Sequence, residues 1–194
     1  MDPAYLHRHF LLKRQVLALT GTFRIFGPTE ELLFFSRQKM FRLKEDIRVY
    51  SDTASTRQVL QITARQIIDF SATYDVTDTS TNMVVGAIQR KGWRSLARDE
   101  WHILSPSAEP LAMMQEDSLQ RALLRRFLLG AWLPLDYHIT SPSFGEIGTI
   151  HQRFNLFRYE LELDLSGLTA QLDPRLAIAA LILLGAIEGR QSSD

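Results

Sequence analysis

Leu172-Asp-Pro-Arg-Leu-Ala-Ile-Ala-Ala-Leu-Ile-Leu-Leu-Gly-Ala-Ile187 decides the fold. Asp173 is a capping carboxylate, and Pro174 stands at the first helical position, where its missing N–H costs nothing. From Leu176 to Ile187 no side chain carries a charge or a hydrogen-bonding group; Glu188, Gly189 and Arg190 then close the run. A helix lying on a protein surface shows a polar stripe, and this one shows none. It must therefore be buried on all sides or sit in a membrane. Its 12 charge-free residues span roughly 18 Å, well short of the ~30 Å hydrocarbon core of a bilayer. The expectation is a buried central helix over about 174–188, not a membrane span.

A chain of 194 residues is long enough to surround such a helix within one domain, and its hydrophobic share of 45% is that of an ordinary globular protein. The net charge is zero, so no global field draws the chain to nucleic acid or to an anionic bilayer, and such binding needs a local basic patch. The absence of cysteine excludes disulfides, thiolate zinc sites and a thiol nucleophile. Met1-Asp-Pro-Ala-Tyr5 lacks the charged-then-apolar order of a signal peptide. Residues 1–9 read as a flexible start, and the expected location is the cytoplasm.

Between residues 10 and 166 the pattern is that of strands. Ile68, Phe70, Ala72, Tyr74 and Val76 alternate with Asp69, Ser71, Thr73, Asp75 and Thr77; Phe157 to Leu165 alternates likewise. One apolar and one wet face, with short turns between runs, indicates antiparallel meanders. One further helix is expected over about 118–129, with Asp117 or Ser118 capping it and Gly130 ending it. A loose internal repeat joins the strands: Arg37-Gln-Lys-Met-Phe-Arg42, Gln89-Arg-Lys-Gly-Trp-Arg94 and His151-Gln-Arg-Phe-Asn155 each follow a hairpin (Phe23 to Arg37, Tyr74 to Gln89, Tyr137 to Gln152). Three copies of about four strands make roughly twelve. Closure hides their edges, and a barrel of twelve is too wide for its own side chains to fill. The expected fold is α+β, mainly antiparallel β: an about twelve-stranded closed barrel around a buried hydrophobic C-terminal helix, one domain over residues 10–190.

Four features, namely Phe10 to Leu19, Arg37 to Tyr50, Gly92-Trp93-Arg94 with Asp99-Glu100-Trp101, and the apolar C-terminal helix, resemble the Tubby C-terminal-like superfamily. Within it the chain is most similar to the LURP-one-related and phospholipid-scramblase-like proteins, bacterial members included. The resemblance implies a twelve-stranded barrel threaded by a hydrophobic helix. It also implies functions in the range of phosphoinositide binding, lipid scrambling and defence response, none of them an enzyme reaction. The cysteine-rich palmitoylation stretch and proline-rich arm of animal scramblases are missing here. Asp75 to Asn82 reads as a hairpin turn, because it lacks the glycine and terminal glutamate of a calcium loop.

Chemistry-bearing motifs are few. No phosphate loop, dinucleotide fingerprint, nucleophile elbow or His-Glu-x-x-His occurs. His102, His138 and His151 lie in separate strands, so no metal site and no cofactor are expected. The acidic pairs Glu45-Asp46, Asp99-Glu100 and Glu116-Asp117 face opposite ways in a strand and read as partners for nearby arginines. Two basic features remain. Arg90, Lys91 and Arg94 flank Trp93, and Arg37, Lys39 and Arg42 flank Phe41; together they could cradle an anionic headgroup, or merely guard exposed strands and pair with acids. In the helix of 118–129, Arg121, Arg125 and Arg126 occupy one side, as in a membrane-facing helix, or in one packed on the barrel mouth. The functional expectation is a non-enzymatic module, peripheral at the membrane, that binds an anionic phospholipid or phosphoinositide. The alternative is a protein-interaction scaffold with a protein partner and no ligand. Nucleic acid is not an expected partner.

Overall fold

The computed structural model describes residues 2–15, 20–39, 46–68, 71–91, 100–116, 135–153, 155 and 158–187. Their alternating sequences form twelve strands: β1 (His9–Gln15), β2 (Thr20–Phe26), β3 (Leu32–Lys39), β4 (Asp46–Tyr50), β5 (Gln58–Ile68), β6 (Ser71–Asp78), β7 (Met83–Lys91), β8 (Glu100–Leu104), β9 (Pro110–Glu116), β10 (Asp136–Ser141), β11 (Gly145–Arg153) and β12 (Arg158–Asp164). Each pairs antiparallel with its neighbours in sequence, and β1 closes the barrel on β12, from His9 opposite Asp164 to Gln15 opposite Arg158. The ten-residue alternation read from Ile68 divides between two strands, since Ile68 ends β5 and Ser71 begins β6. The predicted helix of 118–129 lies outside the described residues.

Helix α1 (Pro174–Ile187) threads the barrel. Every residue from Leu176 to Ile187 is buried, among inward-facing residues such as Leu12, Phe23, Ile62, Ile88, Trp101 and Leu161. The apolar-all-round sequence is thus matched by an apolar surround. Where the helix comes closest to the wall, small residues make room. A Cβ on Gly185 would meet the Leu12 side chain at 3.2 Å, and one on Gly86, at φ +152°, would meet the Leu104 carbonyl oxygen at 2.3 Å and Leu176 at 3.0 Å.

Both helix ends are tied to the wall. At the start, Asp173 Oδ1 accepts from the backbone N–H of Arg175 at 2.9 Å, the capping geometry its sequence position predicts. The Arg175 guanidinium reaches from Asp173 (2.5 Å) to Asp78 at the end of β6. Burial pushes the Asp78 carboxyl up, but hydrogen bonds from Ser80 and Arg175 outweigh it and hold the group below its ordinary value. At the far end, Arg14 Nη1 donates to the Gly185 carbonyl at 3.3 Å.

The same end of the barrel that receives Arg175 is covered by a 3-10 helix (Pro3–Leu6). Tyr5 stacks on Phe34 at 4.8 Å between ring centroids and is 3% exposed, a burial the polar-looking start of the chain does not announce. The turns at this end hold non-glycine residues in the left-handed region at Glu30, Ser55, Asn82 and Ala108, whereas the β10–β11 turn uses Gly145 at φ +71°. The β6–β7 turn is a plain hairpin, with Asp78 Oδ1 accepting from Ser80 N and Oγ at 2.8 and 2.6 Å.

Candidate functional site

Strand register sorts the predicted cations. The repeat aligns Arg37 with Gln89, Gln38 with Arg90 and Lys39 with Lys91. Arg37 accordingly points outward from β3, its guanidinium 5.5 Å from the centre of the Phe35 ring. Arg90 belongs to the inward-facing set of β7 with Ile88 and stacks over Trp101 at 5.4 Å. Lys91 is exposed at the end of β7, opposite Glu100. Arg37 and Arg90 therefore lie on opposite sides of the wall, and the two predicted clusters do not form one cradle through them. For Lys39 the description extends to its backbone pairing with Thr20. Arg42, Arg94, Arg121, Arg125 and Arg126 lie outside the described residues.

Arg37 instead joins two cations that the sequence reading had not singled out. Lys13 on β1 stands directly opposite Arg24 on β2, and Arg24 stands opposite Phe35 on β3. All three cations lie on the outer face, each over an aromatic ring: Lys13 Nζ is 5.0 Å from the Phe26 centroid, and Arg24 shares Phe35 with Arg37 at 5.8 Å. Such a stack contributes about 0.5–1 kcal/mol when exposed. Among the described residues none of the three makes an ion pair. The nearest acid along the row, Glu160 opposite Lys13 on β12, is bonded to Asn155 Nδ2 at 3.4 Å instead. Like charges directly opposite in a sheet are destabilising. Elsewhere charges are matched: Arg65 with Asp75 (2.6 Å), Arg153 with Glu162 (3.2 Å), Arg57 with Asp2 (3.1 Å).

Among the described residues, the connections at one end of the barrel are acidic. The connections at the end covered by Pro3–Leu6 carry Asp2, Glu30, Glu31, Asp52, Glu109 and Asp173 against Arg8 and Arg57. Arg175, at the same end, offsets part of this through Asp173 and Asp78.

The histidines are each paired with a carboxylate, among them His9 with Asp164 at 3.6 Å, His102 with Glu100 at 2.5 Å and His138 with Glu146 at 2.7 Å. Of the acidic pairs, Asp46 meets Arg48 at 3.1 Å, as expected, while Glu100 takes His102 rather than an arginine. Among the described residues no group of three or more His, Asp or Glu is arranged to hold a metal, and no helix is long and apolar enough to cross a membrane. A groove of about 550 Å³ runs over the outer face of β1, β12 and β11 beneath the β2–β3 turn.

A closed twelve-stranded antiparallel barrel threaded by an apolar helix is the architecture of the Tubby C-terminal-like superfamily. Within it, the LURP-one-related family model matches residues 32–185, most of the chain, and the protein belongs to that family. Neither a curated protein nor a solved structure matches it.

Proposed function

We propose that the barrel is a non-enzymatic binding module that recognises anionic phospholipid headgroups at a membrane surface. The observation that carries this reading is the outward cluster of Lys13, Arg24 and Arg37, three cations on adjacent strands without an acidic partner among the described residues. Self-repulsion of this kind weakens the fold unless a ligand relieves it. Flotation with phosphatidylcholine vesicles, with and without a small fraction of phosphatidylinositol bisphosphate, tests it. Binding is expected only to the charged vesicles and should weaken as rising salt shortens the Debye length to a few ångströms. Absence of binding at low ionic strength would refute it.

A second reading, a protein-interaction scaffold, draws on the acidic end. Leu6, Met83 and Phe144 are each at least half exposed there, apolar side chains that a partner would cover. Capture of a protein partner that is lost with Leu6→Ser and Phe144→Ser, in a protein blind to vesicles, would favour it.

A further inference from the structure

The barrel wall is not zipped evenly. Every other pair of neighbouring strands stands in register over four residues or more, whereas β3 and β4 meet at one position, Phe35 opposite Tyr50. Beyond it each strand is paired on its far flank alone. β3 follows β2 as far as Lys39 opposite Thr20, and β4 follows β5 as far as Asp46 opposite Thr63. Among the described residues no other backbone hydrogen bond joins residues 36–39 to 46–49. Side chains seal the seam instead: Phe35, Ser36, Ile47 and Val49 are each 1% exposed.

The sequence explains why the ladder stops. Continuing the register would set Ser36 opposite Val49, Arg37 opposite Arg48 and Gln38 opposite Ile47. Arg37 and Arg48 are both exposed on the outer face, and like charges directly opposite one another destabilise a sheet. The other two positions set a polar residue against an apolar one. Ser36 Oγ is buried without a hydrogen-bond partner, a costly state for a hydroxyl. Unpaired backbone along a strand flank is a template for another strand, and recognition by strand addition uses it.

The seam also specifies what fits. Outward residues of an entering strand would stand between Arg37 and Arg48, and inward ones beside Ile47 and Val49. Acidic residues suit the first place and apolar residues the second. Among the described residues Arg37 makes no ion pair, and Arg48 holds only Asp46 of its own strand, at 3.1 Å. Admission parts the flanks by one strand spacing, about 4.8 Å, and breaks one ladder position at most. Six residues connect Lys39 to Asp46, enough chain at about 3.3 Å each to bridge the widened seam. We propose that the barrel opens laterally between β3 and β4 to accept an extended segment of a partner protein that alternates acidic and apolar residues. This opening rests on the backbone of β3 and β4 and not on the headgroup reading above.

Amide exchange and titration calorimetry on the intact protein test it, with a blocked seven-residue peptide alternating valine and glutamate as the probe. The same peptide with lysine for glutamate is the control. In the free protein, seam-facing amides of residues 36–39 and 46–49 should exchange more than about a hundredfold faster than those shared by β5 and β6. The glutamate peptide should slow them and bind about tenfold or more tighter than the lysine peptide. Arg48→Glu sets opposite charges across the seam. It should zip the ladder, slow the same amides without peptide and abolish peptide binding, while vesicle flotation, which reads Lys13, Arg24 and Arg37, stays unchanged. Arg37→Glu with Arg48→Glu should reopen the seam and reverse the preference to the lysine peptide, an outcome that a folding defect does not produce. Seam amides as slow as those of β5 and β6 would overturn the opening. Fast amides with neither peptide bound at millimolar concentration, or with both bound equally, would overturn the docking and leave the headgroup reading standing on its own test.

Discussion

Arg14 in the first strand donates through Nη1 to the carbonyl of Gly185, in the last described turn of the central helix. The side chain is 4% exposed, so a cation stands inside the barrel wall where the negative end of the helix dipole points. Arg14→Met keeps the apolar stem and removes this cap. We expect a loss of about 1–3 kcal/mol, read as a lower urea midpoint with unchanged slope, and a smaller loss for Arg14→Lys. An unaltered midpoint would mean that the contact contributes nothing.

The opposite anchor is sensitive to acid. The Asp78 carboxyl is held below its ordinary value of 3.8 in the folded protein, so its contribution is complete above that value. It is lost as pH falls through the lower folded one. Asp78→Asn should therefore melt below the unmodified protein at neutral pH, and the gap should close on acidification. A gap that persists in acid would show that the Arg175 clamp does not depend on that charge.

Gly86 makes a steric prediction. With a Cβ there 2.3 Å from the Leu104 carbonyl oxygen and 3.0 Å from Leu176, Gly86→Ala must shift backbone rather than a flexible side chain. A cost of more than about 1 kcal/mol is expected from the strained φ alone. Gly145→Ala, where φ is positive but nothing lies within 4 Å, should cost less. Equal losses would point to φ rather than packing as the cause at both positions.

The centre is tested by charge and by exchange. Leu181→Asp places an unpaired carboxylate at a residue that is 0% exposed; its cost of several kcal/mol is a large part of a total stability of about 5–15. The expected result is insoluble or non-cooperatively melting protein. In the unmodified chain, amides of residues 177–186 should exchange among the slowest, near the limit set by global unfolding. Fast exchange there would remove the helix from the core.

Architecture was legible because it is written in periodicities. The charge-free run at 176–187 required an apolar container, the alternation at Ala72, Tyr74 and Val76 required one-sided strands, and three similar hairpins supplied the strand count. The site was less so. Arg37 drew notice because it sits in a repeat beside other cations, whereas Lys13 and Arg24 are distant in sequence and become neighbours only through the β1–β2 register. The pairing of Arg90 with Trp101 on the inner face also depends on register, since a slip of one residue turns every side chain to the other face. Tyr5 was missed because one aromatic in a polar segment carries no period.

The position of the filling element within the chain bears on how the protein is made. The central helix follows all twelve strands in sequence, and β1 finds its second neighbour only when β12 exists. A ribosome adding about 5–20 residues per second therefore releases the whole wall before the piece that occupies its interior. Until Ile187 has emerged, the inward faces of β1 to β12 have no apolar partner at the axis. The long-range pairing of β1 with β12 is slow to form besides. Nascent chains of this protein should lean on holding chaperones until the helix has emerged, for longer than a helical protein whose core forms between sequence neighbours.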